Sequence, residues 1–335
     1  MKLEQILSDK KILVIGDSIL DHYIYGKVYR VSPEAPVPVV VKKNNSYFLG
    51  GAANVAQNIT SFGSECTLLT VTGNDQARDN LQNLCTEKKV NCISIIDSSR
   101  PTTIKTRIIG NDHQIVRIDD ETTDEISFGI QAQIIVLLNE IIHDFDIVIL
   151  QDYGKGLLTT ELTTEIISVC NANGKKTIVD PKDPNILKYS CCTLIKPNLS
   201  EFKTLAGIPQ YNELSQNDIV KIARDKMKEF EIDSFLITMS EMGMLYVDRD
   251  QDIYEPGMRI EVSDVSGAGD TVSAVLSLCL SADLGKSDCL KLANTSGSLV
   301  CQFSGAVQVS PESLFDYISK NNHSISLIDG TPILF

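Results

Sequence analysis

The sequence predicts an α/β fold: a mostly parallel sheet covered by helices on both faces, with a small β lid inserted near the start. Three observations carry this. Compact apolar runs at 11–16, 147–150 and 176–180 read as strands buried on both faces, and helical patterns alternate with them. These runs end in turn residues such as Gly16-Asp17 and Asp180-Pro181, the edge where such sheets bind ligands. After the first run, where a crossover helix belongs, Pro33, Pro36 and Pro38 stand among tyrosines and valines, which reads as an accessory sheet.

The elements follow in order. A strand at 11–16 precedes the lid segments, about 22–43 and later 101–118. Gly50-Gly51-Ala52-Ala53-Asn54 opens a helix that runs to Gly63. A strand at 67–71, a helix at 76–88 and a strand at 92–96 come next. A helix over 126–142 leads to the 147–150 strand, and Thr159 to Asn173 is a helix closed by Gly174. Strands at 192–195, 235–238 and 244–247 alternate with helices near 199–206 and 215–230. A β-like run, Arg259 to Val262, precedes helices at 270–283, 287–303 and 311–320. No repeat or linker divides the 335 residues, so a single domain, 1–335, is expected.

Composition narrows the function classes. A net charge of −14 argues against non-specific nucleic-acid binding, so any grip on an anion must come from a local cluster of cations. Nine cysteines lack metal-ligand spacing, which suits a reduced, cytoplasmic chain. No apolar run approaches a membrane span, and no signal peptide is visible.

Four groups of residues point to chemistry. Asp264-Val265-Ser266-Gly267-Ala268-Gly269-Asp270-Thr271 is a glycine turn opening an apolar helix, which aims N–H groups at an anion. Asp270, an acid beside that anion site, suits proton abstraction, or simply the first turn of a helix. Asp17 is placed to bond a hydroxyl, or is a turn aspartate. Asn198 and Glu201 lie three apart, so they can share one face of a helical turn, or form a capping box. Lys105, Arg107, His113 and Arg117 make a basic stretch in an acidic chain, read either as exposed strand charge or as a phosphate grip.

Gly50-Gly51-Ala52-Ala53-Asn54-Val55-Ala56, with Gly63 and Gly73, resembles the N-terminal signature of the ribokinase (PfkB) family of carbohydrate kinases. The 264–270 turn resembles its C-terminal signature. The two patterns stand in the right order, and the resemblance covers almost the whole chain. It implies a ribokinase-like three-layer α/β/α sandwich, ATP and Mg²⁺ as cofactors, and a homodimer joined through the lid. The 30–40, 152–156, 179–182 and 197–202 motifs resemble one branch, whose members phosphorylate D-glycero-D-manno-heptose 7-phosphate at C1 on the route to ADP-heptose. None of His22, His113, His143 and His323 makes the His-x-Gly-His motif of an adenylyltransferase domain, so a separate adenylyltransferase is expected.

The resemblance also implies roles. Asp270 is the base, with the amides of Gly267, Ala268 and Gly269 as the anion hole. Asp17, Asp21, Gly50, Gly51 and Asn54 hold the sugar, and Lys105, Arg107, Arg117 and Lys155 are candidates for its phosphate. Lys196, Asn198, Leu199, Ser200, Glu201, Thr238 and Asn294 line the ATP side, with Asn198 and Glu201 holding magnesium through water. Met239 stands where the family commonly has arginine. A dinucleotide-binding oxidoreductase is the competing class, but position 272 of the G-x-G-x-x-G pattern is valine. A kinase for another sugar is the alternative within the family.

Overall fold

The computed structural model describes residues 3–303, 308–320, 325–326 and 332–333; His323 lies outside them. The strands of the two larger sheets are β1 Lys11–Gly16, β2 Ser18–Val31, β3 Pro38–Gly51, β4 Glu65–Thr72, β5 Asn91–Ile96, β6 Ile104–Gly110, β7 His113–Asp120, β8 Ile147–Gln151, β9 Lys176–Asp180, β10 Leu194–Ile195, β11 Ser234–Thr238, β12 Met244–Val247 and β13 Asp252–Glu255; Ile325–Ser326 and Pro332–Ile333 pair by themselves.

Nine of these form one sheet in the order β13-β12-β11-β10-β9-β8-β1-β4-β5. From β11 to β5 every pairing is parallel; β12 and β13 are antiparallel additions at one edge. Strands β1 and β8 sit centrally and are buried on both faces, which is why they read as unbroken apolar runs. Side chains alternate between the two apolar layers: Ile12 and Val14 join one core cluster, Leu13 and Ile15 the other. The result is a three-layer ribokinase-like α/β/α fold.

The other four strands pair as β3-β2-β6-β7 in a separate sheet. Its strands reach further toward the core than the 22–43 and 101–118 segments expected from sequence. β2 starts at Ser18, and β3 continues through Gly50 and Gly51. The glycine pair is thus the end of a strand, and the helix begins at Ala52. Gly51 has φ 57°, and a Cβ there would overlap the Asp17 carbonyl.

One expected element is absent. Arg259 to Val262 pairs with no strand among the described residues: β13 ends at Glu255, and Pro256 carries no amide hydrogen to continue the ladder. Strand β10 is also shorter than its apolar run: Cys192 and Thr193 precede the pairing, which begins at Leu194.

Candidate active site

The ends of β8, β9, β10 and β11 open into a cleft of about 1200 Å³. Gln151, Asp180, Lys196, Asn198, Thr238 and Asn294 line it, together with Gly267 to Asp270 on the opposite wall. The helix Ala268–Ser281 starts there. Gly267 is its N-cap at φ 81°, in the left-handed region that glycine tolerates, and the helix start borders the cleft. Of the three amides expected to form an anion hole, that of Ala268 donates instead to the Val265 carbonyl at 3.3 Å, closing the turn before the helix.

Asp270 lies in the first turn of that helix and is 4% exposed. The helix Ala52–Ser61, rich in alanine, packs beside it and brings Asn54 across the chain. Asn54 Nδ2 donates to Asp270 Oδ2 at 2.7 Å. Tyr153 hydroxyl and Gln151 Nε2 donate to Oδ1 at 2.7 and 3.2 Å. Burial pushes the Asp270 carboxyl up to about 7, and nearby Asp180 adds to this. The bonds from Asn54 and Tyr153, with the charge of Lys196, oppose it. A buried carboxylate poised near neutrality in the first turn of a helix is able to accept a proton from a hydroxyl.

Asp17 is also buried, but its carboxylate is occupied by backbone. Oδ2 accepts from the amides of Tyr153 and Lys155 at 3.0 and 3.1 Å, and Oδ1 from Leu157 at 3.2 Å. Burial, then Asp152, raises its carboxyl, and the three amides pull it back. The carboxylate therefore ties down the 153–157 loop, the turn role that the sequence offered beside that of a ligand for a sugar hydroxyl. Asn54, also expected to hold the sugar, is bonded within the protein. Its Nδ2 is bound to Asp270, and its Oδ1 accepts from Gln57 and Asn58. Asp21, at the root of the lid, lies over Gly50, where a Cβ would overlap its carboxylate. It is ion-paired with Arg107.

The four candidate cations are all paired, and the pairs differ. Lys105 from the lid and Lys155 from the core loop meet on Glu121, at 3.0 and 2.6 Å, and all three are mostly buried. Arg107 pairs with Asp21 and lies over the Tyr23 ring. Arg117, on the outer strand β7, is half exposed and bonds Asp119. In register, Asp21, Lys105, Asp119, Tyr23, Arg107 and Arg117 share one face of the lid sheet.

On the nucleotide side, Lys196 is 3% exposed and pairs with Asp180 at 3.0 Å. Asn198 and Glu201 form a reciprocal capping box at the start of the Leu199–Leu205 helix. Both still line the cleft. Leu199 and Ser200, expected on the ATP side, do not line it. Leu199 packs on the apolar core and Ser200 is exposed, because residues one and two positions past the cap turn to other faces of the helix. Thr238 and Asn294 line the cleft, and Asn294 Nδ2 holds the Pro256 carbonyl at 2.8 Å.

Sequence reasoning missed Tyr153, Gln151, Asp180 and Glu121 as members of this network. The first three stand at the C-terminal ends of central parallel strands, a position that marks them in any such sheet. Glu121 carried no local signal.

Fold and cleft together define a phosphotransferase of the ribokinase-like class. The model of the pfkB family of carbohydrate kinases matches residues 9–313. The bifunctional protein HldE of Aliarcobacter butzleri is 36% identical over 323 residues, covering 96% of this chain and 67% of the relative. The HldE of Helicobacter pylori strain HPAG1 is 37% identical, covering 94% and 68%. The chain thus spans about two thirds of the length of these relatives. Among solved structures, Arabidopsis thaliana ribokinase complexed with ribose and ATP superimposes with TM-score 0.71 at 17% identity, covering 92% of this chain and 98% of that one. Escherichia coli phosphofructokinase-2 in complex with fructose-6-phosphate gives 0.73 at 18%, covering 92% and 99%. At these identities the two structures speak to the fold. The chain belongs to the pfkB family of carbohydrate kinases, and it is an enzyme that phosphorylates a sugar.

Proposed function

We propose that the protein transfers the γ-phosphoryl group of ATP to the C1 hydroxyl of D-glycero-D-manno-heptose 7-phosphate, giving the 1,7-bisphosphate. The carrying observation is Asp270: a buried carboxylate, raised to about 7, at the helix start between the lid and the nucleotide cleft. Asp270 takes the proton of the C1 hydroxyl as that oxygen bonds to the γ-phosphorus and the bond to the β-phosphate bridging oxygen breaks, releasing ADP. The work is positioning plus charge stabilisation. The start of that helix, with the amides of Gly267 and Gly269, faces the charge on the transferred group. Lys196 adds a fixed positive charge on the nucleotide side.

Asn198 and Glu201 fit magnesium held through water. Their capping box fixes both on the cleft wall, and Glu201 Oε1 carries only a 3.5 Å contact to Lys182. A bound magnesium ion would neutralise the β- and γ-phosphates.

Lys105 and Lys155 are our leading pair for the sugar's own phosphate, since they converge on one carboxylate from lid and core. Arg107 beside Asp21 comes next. Arg117, half exposed on the outer strand, is last. Support for the heptose branch comes from the motifs at 30–40, 152–156, 179–182 and 197–202 and from the HldE relatives. In this reading the protein acts in the cytoplasm, as a homodimer joined through the lid, and a separate adenylyltransferase consumes the product made from its bisphosphate. No helix among the described residues is long and apolar enough to cross a membrane. Purified protein with ATP, magnesium and a panel of sugars decides the substrate. Preference for unphosphorylated ribose or fructose over the heptose 7-phosphate sinks the heptose reading.

A further inference from the structure

We propose that Tyr153 is a positioning residue whose hydroxyl, presented by a loop that Asp17 clamps, holds the Asp270 carboxylate aimed and charged for proton abstraction. The inference rests on the reading of Asp270 as the base and adds a residue that neither signature contains.

The geometry is a short relay. Asp17, just past β1, collects the amides of Tyr153, Lys155 and Leu157 at 3.0, 3.1 and 3.2 Å. Arg100 grips the same loop by donating to the Lys155 carbonyl at 2.8 Å. So fixed, the loop presents the Tyr153 hydroxyl to Asp270 Oδ1 at 2.7 Å. Asn54 holds the other oxygen, Oδ2. One donor on each oxygen sets the plane of the carboxylate, and Gln151 shares Oδ1.

Tyrosine suits this place because it donates without adding charge. A lysine there would pair with Asp270 and leave it a poor base. The phenol keeps its own proton: burial, then the charge of Asp270 and that of Asp180, push its ionisation well above the ordinary tyrosine range. The charged and titratable groups that face Asp270 are Tyr153 from the loop after β8, Asp180 from the end of β9 and Lys196 from the end of β10. Asp180 and Lys196 are paired with each other at 3.0 Å. The two uncharged donors, Asn54 and Gln151, complete the ring around the carboxylate.

A hydrogen bond donated to the carboxylate favours its charged form. Removing it raises the pH at which Asp270 ionises. The test is Tyr153→Phe, which keeps the ring and deletes the donor. Two readouts are taken on the full chain: the pH profile of kcat, and the titration of the Asp270 side-chain carboxyl by carbon-13 NMR, its signal identified by its loss in Asp270→Asn. The expected result is an NMR midpoint raised by about one pH unit, the size of one hydrogen bond to a charged group. The acid limb of kcat moves up with it, so turnover at low pH falls about tenfold and recovers on the alkaline plateau, while KM for ATP stays put.

If the phenylalanine variant does not fold, 3-fluorotyrosine at 153 keeps the donor and makes it more acidic, and the midpoint moves down instead. A midpoint that does not move in either variant overturns the proposal. So does a uniform loss of kcat at every pH, which marks Tyr153 as a wall of the cavity. A midpoint that moves without the acid limb following overturns the reading of Asp270 as base, and with it any part for Tyr153 in catalysis.

Discussion

Two buried carboxylates, one lining the cleft and one behind the 153–157 loop, are each 4% exposed. Asp17, after β1, is surrounded by backbone amides of one loop. Asp270, at the helix start, is surrounded by three side-chain donors from two separate stretches of chain, Asn54 and the 151–153 segment. Burial raises both. Backbone donors cannot turn away, so the carboxylate they satisfy becomes part of the scaffold. Side-chain donors can rotate when a substrate hydroxyl arrives, so the carboxylate they hold stays available for chemistry. The same residue type is therefore held by backbone in one place and by side chains in the other.

The sharpest way to break this comparison is to neutralise each acid in turn. Asp270→Asn is expected to lower kcat by about 10²- to 10⁴-fold, the usual worth of a general base, with KM for ATP and sugar within a few-fold. Steady-state kinetics on the purified variant checks it, and a matching loss of binding would make Asp270 structural. The mirror experiment is Asp17→Ala. It strands three amides and is expected to cost about 2–4 kcal/mol of stability, read by chemical denaturation, with a smaller fall in kcat.

A third test uses pH alone. Asp270 has its folded-state pKa raised from 3.8 to about 7. Its protonation therefore favours the fold below about pH 4, and that contribution is lost as pH rises through about 7; the full swing is roughly 4 kcal/mol. Unfolding free energies of wild type minus Asp270→Asn, measured across that window, should fall with rising pH. A flat difference would mean the site ionises as freely as in the unfolded chain. The smallest effect is expected on the lid side: Lys105→Met or Lys155→Met should raise KM about tenfold for a phosphorylated sugar and leave an unphosphorylated one unaffected. Equal effects on both sugars would remove these lysines from phosphate binding.

Much of this could be read before any coordinates. The alternation of apolar runs with helical patterns, and the two glycine turns, already told of a parallel sheet with ligands at its strand ends. Asp270 was legible because an acid beside an anion site is electrostatically odd. The capping-box alternative for Asn198 and Glu201 was legible as well, since three-residue spacing is a local property. What stayed hidden depends on long-range approach. Tyr153 and Asp270 are 117 positions apart, and no pattern in either segment tells that they meet. The three amides on Asp17 belong to a loop whose path only the fold decides. Leu199 and Ser200 were misplaced because a run of adjacent residues reads as one motif, while a helical turn sends its members to different faces. Arg259 to Val262 misled for the opposite reason: its side chains suit a strand, but the sheet offers it no partner.

The lid strands β2 and β3 leave the core at Ser18 and return at Gly51, side by side with Asp17 and just before the helix that carries Asn54. The roots of the lid and the floor of the site are therefore the same few residues. Gly16 and Gly51 are pressed so close to the Gln151 and Asp17 carbonyls that no side chain fits. The small sheet is rooted where Asp21 packs on Gly50, while its far end, near Val31 and Pro38, is exposed. Tailoring of the enzyme to a new sugar has room to proceed at that far end, while the root admits almost no variation.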